Sequence, residues 1–110
     1  MKHPKAPSEA QVKHAIKDYL RAKRILYIQI NQIRPVHKPD GSIRFIPIDI
    51  ELLGAPDILI PAAGSIAVEI KSSKGVLSDN QRAWNNRATE WGIKCHVVRS
   101  LEDLEDILNG

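Results

Sequence analysis

Two apolar, mostly β-branched runs lie only five residues apart, Ile58-Leu59-Ile60 and Ile66-Ala67-Val68-Glu69-Ile70. The Pro61-Ala62-Ala63-Gly64-Ser65 stretch between them is a cluster of chain breakers, so the pair predicts an antiparallel hairpin. A turn centred on Ala63 pairs residues whose numbers sum to 126. Asp57 then stands opposite Glu69, with Cβ atoms roughly 5 Å apart. Side chains alternate along a strand, which puts Lys71 on the Glu69 face and Val68 and Ile70 on the other. A slip of one residue would separate the two acids, so the register decides everything that follows. Like charges directly opposite on a sheet repel, and a cation between them removes the cost. Hard carboxylate oxygens suit Mg²⁺, which takes one or two of them together with waters and phosphate oxygens. The plainer alternative is a half-exposed hairpin whose Glu69 pairs with Lys71 or Lys74.

The remainder of the chain divides readily. Ser8-Glu9-Ala10-Gln11 is a capping box, and Val12, Ala15, Ile16, Tyr19 and Leu20 follow a helical stripe. Glu9 sits one turn before Val12 and is expected on the core side, although an acid is favoured at a helix start in any case. Ile25 to Val36 is expected as one long strand with Ile43 to Ile50 as partner, joined by the turn Lys38-Pro39-Asp40-Gly41. A second capping box, Ser78-Asp79-Asn80-Gln81, opens a helix to about Trp91 with Trp84, Ala88 and Trp91 as its buried stripe. Gly92 stops it. Lys94 to Val98 is a last strand, and Ser100 caps a short acidic helix bearing Leu101, Leu104, Ile107 and Leu108. Gln81 is fully accounted for as a capping residue, and one conformer is not expected to serve a site as well. The order gives an α/β fold, a mixed central sheet flanked by helices, with the site at one sheet edge under the first helix.

At 110 residues the chain is read as a single domain, residues 1–110. One cysteine excludes a disulfide framework and a Cys-based zinc site, and suits a reducing compartment. No apolar run has the length of a membrane helix and no signal peptide is readable, so a cytoplasmic protein is expected. The net charge of +3 is unevenly placed: residues 1–50 hold ten Lys/Arg against four Asp/Glu, and residues 51–110 hold six against nine. A basic half suits a polyanion, and equally an ordinary solvated face. His3, His14, His37 and His96 are scattered, and there is no P-loop, dinucleotide fingerprint or nucleophile elbow.

The pattern Gly54-x-Pro56-Asp57, apolar strand, Glu69-x-Lys71, then Gly75, Leu77, Ser78 and Gln81, with Glu9 on the first helix, resembles the VRR-NUC domain of the PD-(D/E)xK nuclease superfamily. The likeness spans nearly the whole chain and is similar to stand-alone, phage-type forms akin to homodimeric Holliday-junction resolvases. It implies a restriction-endonuclease-like αβββαβ core. It implies Mg²⁺ or Mn²⁺ held by Asp57, Glu69 and the Ile70 carbonyl, with Glu9 as a further acid. It also implies a catalytic Lys71 and a supporting Gln81. Leu53 stands where many relatives carry a basic residue. The implied activity is hydrolysis of phosphodiester bonds in branched DNA, by a homodimer without a small-molecule cofactor. Ser73 and Lys74 after the site, and Asn31, Arg34, Lys38 and Arg44 around the first hairpin, are candidate DNA contacts. A binding module with a relic site, or one needing a partner protein, is the competing reading. An RNA nuclease or a restriction-type enzyme shares the chemistry.

Overall fold

A computed structural model describes residues 6–30, 33–47 and 53–110. Helix α1 (Glu9–Ala22) starts where the capping box places it. Gln11 N–H donates to Ser8 Oγ at 3.2 Å, and Ser8 N–H donates to Gln11 Oε1 at 2.8 Å. Val12, Ile16 and Leu20 are its buried stripe, while Ala15 turns to solvent. A two-residue strand β1 (Ile28–Gln29) follows, then the hairpin β2 (Ile33–His37) and β3 (Ile43–Pro47). Strand β4 (Ile58–Ile60), one helical turn α2 (Ala62–Ser65) and strand β5 (Ile66–Ile70) form the predicted second hairpin. Helix α3 (Asp79–Glu90), strand β6 (Lys94–Val98) and helix α4 (Leu101–Asn109) complete the chain.

The main sheet runs β1-β4-β5-β6, with β5 antiparallel to β4 and parallel to β6. It is a small mixed α/β architecture. Strand β5 is buried at every position because a neighbour flanks it on each side and α1 packs against it. Ile16, Leu20, Ile58, Ile60, Val68, Ile70, Val98 and Leu104 are fully buried and form the centre of the core.

The β4–β5 register matches the expectation: Ile58 faces Val68, Leu59 faces Ala67 and Ile60 faces Ile66. The connection is a helical turn in which Gly64 (φ +85°) and Ser65 (φ +63°) take left-handed conformations and return the chain. The expected long strand from Ile25 to Val36 is instead two strands in different sheets. β1 pairs with β4, whereas among the described residues β2 pairs only with β3. Period-two alternation shows that a segment is extended and says nothing about its partner, which is why the split was hidden. Residues 48–50, expected to continue β3, lie outside the described residues, as does Asn31.

A second correction concerns Trp91, which is 85% exposed. Helix α3 ends at Glu90 and Trp91 is its C-cap, so its side chain leaves the stripe that Ala88 continues into the core. The carboxylate hairpin is also central rather than at a sheet edge, because β1 covers β4 and β6 covers β5. Among the described residues no helix is long and apolar enough to cross a membrane.

Candidate active site

Asp57 is the last residue before β4, and Glu69 lies one position from the end of β5. Extending the observed ladder by one step sets them opposite each other, and both are 5% exposed. Three backbone features hold Asp57 in place. Pro56 ahead of it is fully buried. Ile30 N–H donates to the Asp57 carbonyl at 3.0 Å, and Ile70 N–H donates to Asp57 Oδ2 at 2.8 Å. Gly54, three residues earlier, has φ +79° and lies so close to α3 that an added Cβ would collide with the Asn80 carbonyl. The glycine of the Gly-x-Pro-Asp pattern therefore lets the start of α3 approach the acids.

That approach brings in Gln81. Its backbone N–H donates to Ser78 Oγ at 3.2 Å and its Oε1 accepts from Ser78 N–H at 2.9 Å, closing the capping box. Its Nε2 donates to Glu69 Oε1 at 2.9 Å. One conformer therefore does both jobs, contrary to the expectation from sequence. A carboxamide has an accepting end and a donating end, and the two point to different partners.

Lys71 follows on the same strand face, with its Nζ 3.7 Å from Glu69 Oε1. Gly75 leaves room for it: a Cβ there would press on Lys71 Cβ and Cδ at 3.3 Å. The remaining oxygen, Glu69 Oε2, is buried and has no hydrogen-bond partner. Burial, then the nearby Asp57, push the Glu69 carboxyl up to about 7, against the opposing pull of Lys71.

Glu9 contributes differently from the expectation. It is exposed, since it occupies the first turn of α1 before the stripe descends at Val12. Its charge still reaches Glu69 and raises that carboxyl further. Among the described residues no group of three or more His, Cys, Asp or Glu side chains is placed to hold a metal ion by itself. The pair nevertheless fits Mg²⁺ or Mn²⁺ in the way such ions are usually held, by one or two carboxylates, with waters and substrate oxygens completing the shell. The orphaned Oε2 is the atom such an ion would satisfy. Ile70, whose carbonyl the resemblance assigns to the metal, gives its N–H to Asp57.

Two residues of the site went unnoticed in the sequence. Lys13 Nζ lies 3.0 Å from Asp57 Oδ1. The available signal was its position four residues after Glu9, on the same side of α1. Arg99 closes the other end, its Nη1 donating to Ser72 O at 2.7 Å and Gly75 O at 2.6 Å, which fixes the loop after Lys71. No local pattern marks Arg99, because its partners are carbonyls far back in the chain.

Of the candidate DNA contacts, Ser73 and Lys74 are exposed on the loop that Arg99 braces. Arg34, Lys38 and Arg44 are exposed on the separate β2–β3 hairpin, not on the sheet that carries the acids. Comparison of the chain with protein-family models, with curated proteins and with solved structures returns no match.

Proposed function

We propose that this chain is a Mg²⁺- or Mn²⁺-dependent endodeoxyribonuclease of the VRR-NUC type that hydrolyses phosphodiester bonds in branched DNA, acting as a homodimer. The observation that carries the reading is the buried, unpartnered Glu69 Oε2 beside a second buried carboxylate. An orphaned buried carboxylate oxygen costs free energy that a cation, a proton or a bound water recovers. The element order, with α1 ahead of the carboxylate hairpin and α3 and β6 behind it, supports a restriction-endonuclease-like core.

Asp57 and Glu69 would hold a divalent ion, which would supply a Lewis acid for activating water and neutralising charge on the phosphate. The chain's own groups do the rest. Gln81 holds Glu69 in orientation through Oε1 and leaves Oε2 for the ion. The Lys71 ammonium, a compact point charge, contacts the scissile phosphate and offsets charge that grows on it. Ser73 and Lys74, on the braced loop, take the neighbouring backbone phosphates. A dimer provides two such sites, which cutting both strands of a junction requires.

One observation favours the alternative of a relic or partner-dependent binding module: Lys13 already places a positive charge on Asp57. The two readings separate on labelled four-way junction, flap and linear duplex, each incubated with Mg²⁺, Mn²⁺ or EDTA. A nuclease cuts at least one substrate with metal, and Glu69→Ala abolishes the cutting. Lys71→Ala loses rate and keeps most DNA affinity. Absence of cleavage on every substrate with either metal refutes the enzymatic reading.

A further inference from the structure

We infer that Lys13 is the site's internal counter-cation, a positioning residue that holds Asp57 in the metal-free state and that a divalent ion must displace. The inference rests on the metal-dependent reading above and says how the ion enters. Of the four carboxylate oxygens, Asp57 Oδ2 is taken by Ile70 N–H and Glu69 Oε1 by Gln81, with Lys71 alongside. Glu69 Oε2 is free, and Asp57 Oδ1 carries the Lys13 ammonium. Oε2 and Oδ1 are the oxygens not bonded to the backbone or to Gln81, and a divalent ion held by the two acids would draw on them first. A divalent ion and an ammonium do not share one carboxylate oxygen without strong repulsion, so one of them leaves.

Lys13 is built to leave. Its side chain is 32% exposed, so the ammonium regains water by rotating about a flexible four-carbon stem. Glu9, exposed and four residues earlier on α1, offers a second partner in the favourable Glu-before-Lys order. Lys71 is more enclosed and stays at Glu69. The two lysines therefore have separate tasks: Lys71 remains for the phosphate, and Lys13 stands in for the metal.

The test is Mn²⁺ binding to the full chain by calorimetry and electron paramagnetic resonance. The proteins compared are wild type, Lys13→Met, Lys13→Arg and Lys17→Met. Lys17 is the charge control, since its Nζ is bonded to Gln29 Oε1 at 2.9 Å and does not pair with Asp57. Lys13→Met is expected to tighten Mn²⁺ about tenfold, the equivalent of about 1.4 kcal/mol. Lys13→Arg should keep wild-type or weaker affinity, and Lys17→Met should stay within about twofold of wild type, its charge being screened by solvent. Equal Mn²⁺ affinity in wild type and Lys13→Met overturns the inference and leaves the metal reading standing. So does a Lys17→Met effect as large as that of Lys13→Met. No Mn²⁺ binding by either protein overturns both. A second readout needs no variant: in ¹⁵N-lysine spectra of the wild type, the Lys13 ammonium signal should move as Mg²⁺ saturates the site. A Lys13 signal unmoved at saturation also overturns the inference.

Discussion

Glu69→Gln should stabilise the metal-free protein while abolishing the proposed metal-dependent cleavage. Burial and the neighbouring Asp57 raise the Glu69 carboxyl from its ordinary 4.5 to about 7. A folded-state value above the unfolded one means that the native chain binds more protons between those two pH values. Stability contributed by the neutral carboxyl is therefore full below about pH 4.5, is lost as pH climbs towards about 7, and levels off above that. At about 1.36 kcal/mol per pH unit, the cost of ionising Glu69 reaches at most about 3 kcal/mol at pH 8. Glutamine keeps an acceptor for Gln81 Nε2, carries no charge, and relieves that cost. Urea denaturation in EDTA should show Glu69→Gln more stable than wild type by about 1–3 kcal/mol at pH 8, with the gap closing towards pH 5. In thermal scans each kcal/mol corresponds to about 4–8 °C for a chain near this size. Added Mg²⁺ should close most of the gap or reverse it, since a ligand at 100 times its Kd stabilises wild type by about 2.7 kcal/mol and should leave the variant unmoved. If Glu69→Gln is less stable than wild type at pH 8 in EDTA, or if the gap does not depend on pH, the account of Glu69 as a destabilised buried acid is refuted.

The other predictions concern the framework. Gln81→Glu keeps the capping box, because glutamate accepts from Ser78 N–H equally well, yet sets a carboxylate against Glu69. Helix content should hold while Mn²⁺-dependent cleavage falls at least about tenfold, and unchanged cleavage would show that the Gln81–Glu69 bond is idle. Gly54→Ala combines a left-handed backbone with a collision against Asn80 and should cost roughly 2–4 kcal/mol in chemical denaturation. Gly41→Ala, with φ +87° and open space around it, should cost only about 1–2 kcal/mol, and equal losses would mean that the approach of α3 is unimportant. Arg99→Met removes both anchors of the loop after Lys71 and should cost about 2 kcal/mol and lower kcat more than it raises KM. A pure stability loss with wild-type kinetics would confine Arg99 to a structural role.

The parts legible in the sequence were those governed by short-range rules. Capping boxes at Ser8 and Ser78, the Gly92 stop and the strand from Lys94 to Val98 all depend on neighbours within one turn or on simple alternation. The hairpin register was readable because its turn is short and its strands are continuous, and it placed Asp57 against Glu69. The fate of Ile25 to Val36 was not readable, since extended residues do not declare which sheet they join. Trp91 keeps the helical spacing of the stripe but lies one residue past the end of the helix, where that spacing no longer sets the direction of a side chain. Lys13 and Arg99 escaped notice for a shared reason: each is defined by a partner 44 or 24 residues away, and one basic residue among 16 carries no mark of it.

The distribution of partners around the acids divides the site into fixed and exchangeable components. The groups that orient the carboxylates belong to the framework: the Ile70 amide to a central strand, and Gln81 to the first turn of a helix that Gly54 allows close. Neither can move without breaking a ladder or a cap. The positive charges, by contrast, arrive on lysines, which have long flexible stems and bind as point charges. A site intended only to stabilise the fold would gain more from the reverse arrangement, with an arginine fork fixed on both acids and no orphaned oxygen. Rigid oxygens, with one replaceable cation at Lys13 and one retained at Lys71, would suit a centre that takes up an ion and a phosphate and later releases the products. Replacing both lysines with arginine should preserve folding in circular dichroism while suppressing Mn²⁺ uptake in calorimetry, since the bidentate fork is held more firmly by the carboxylates.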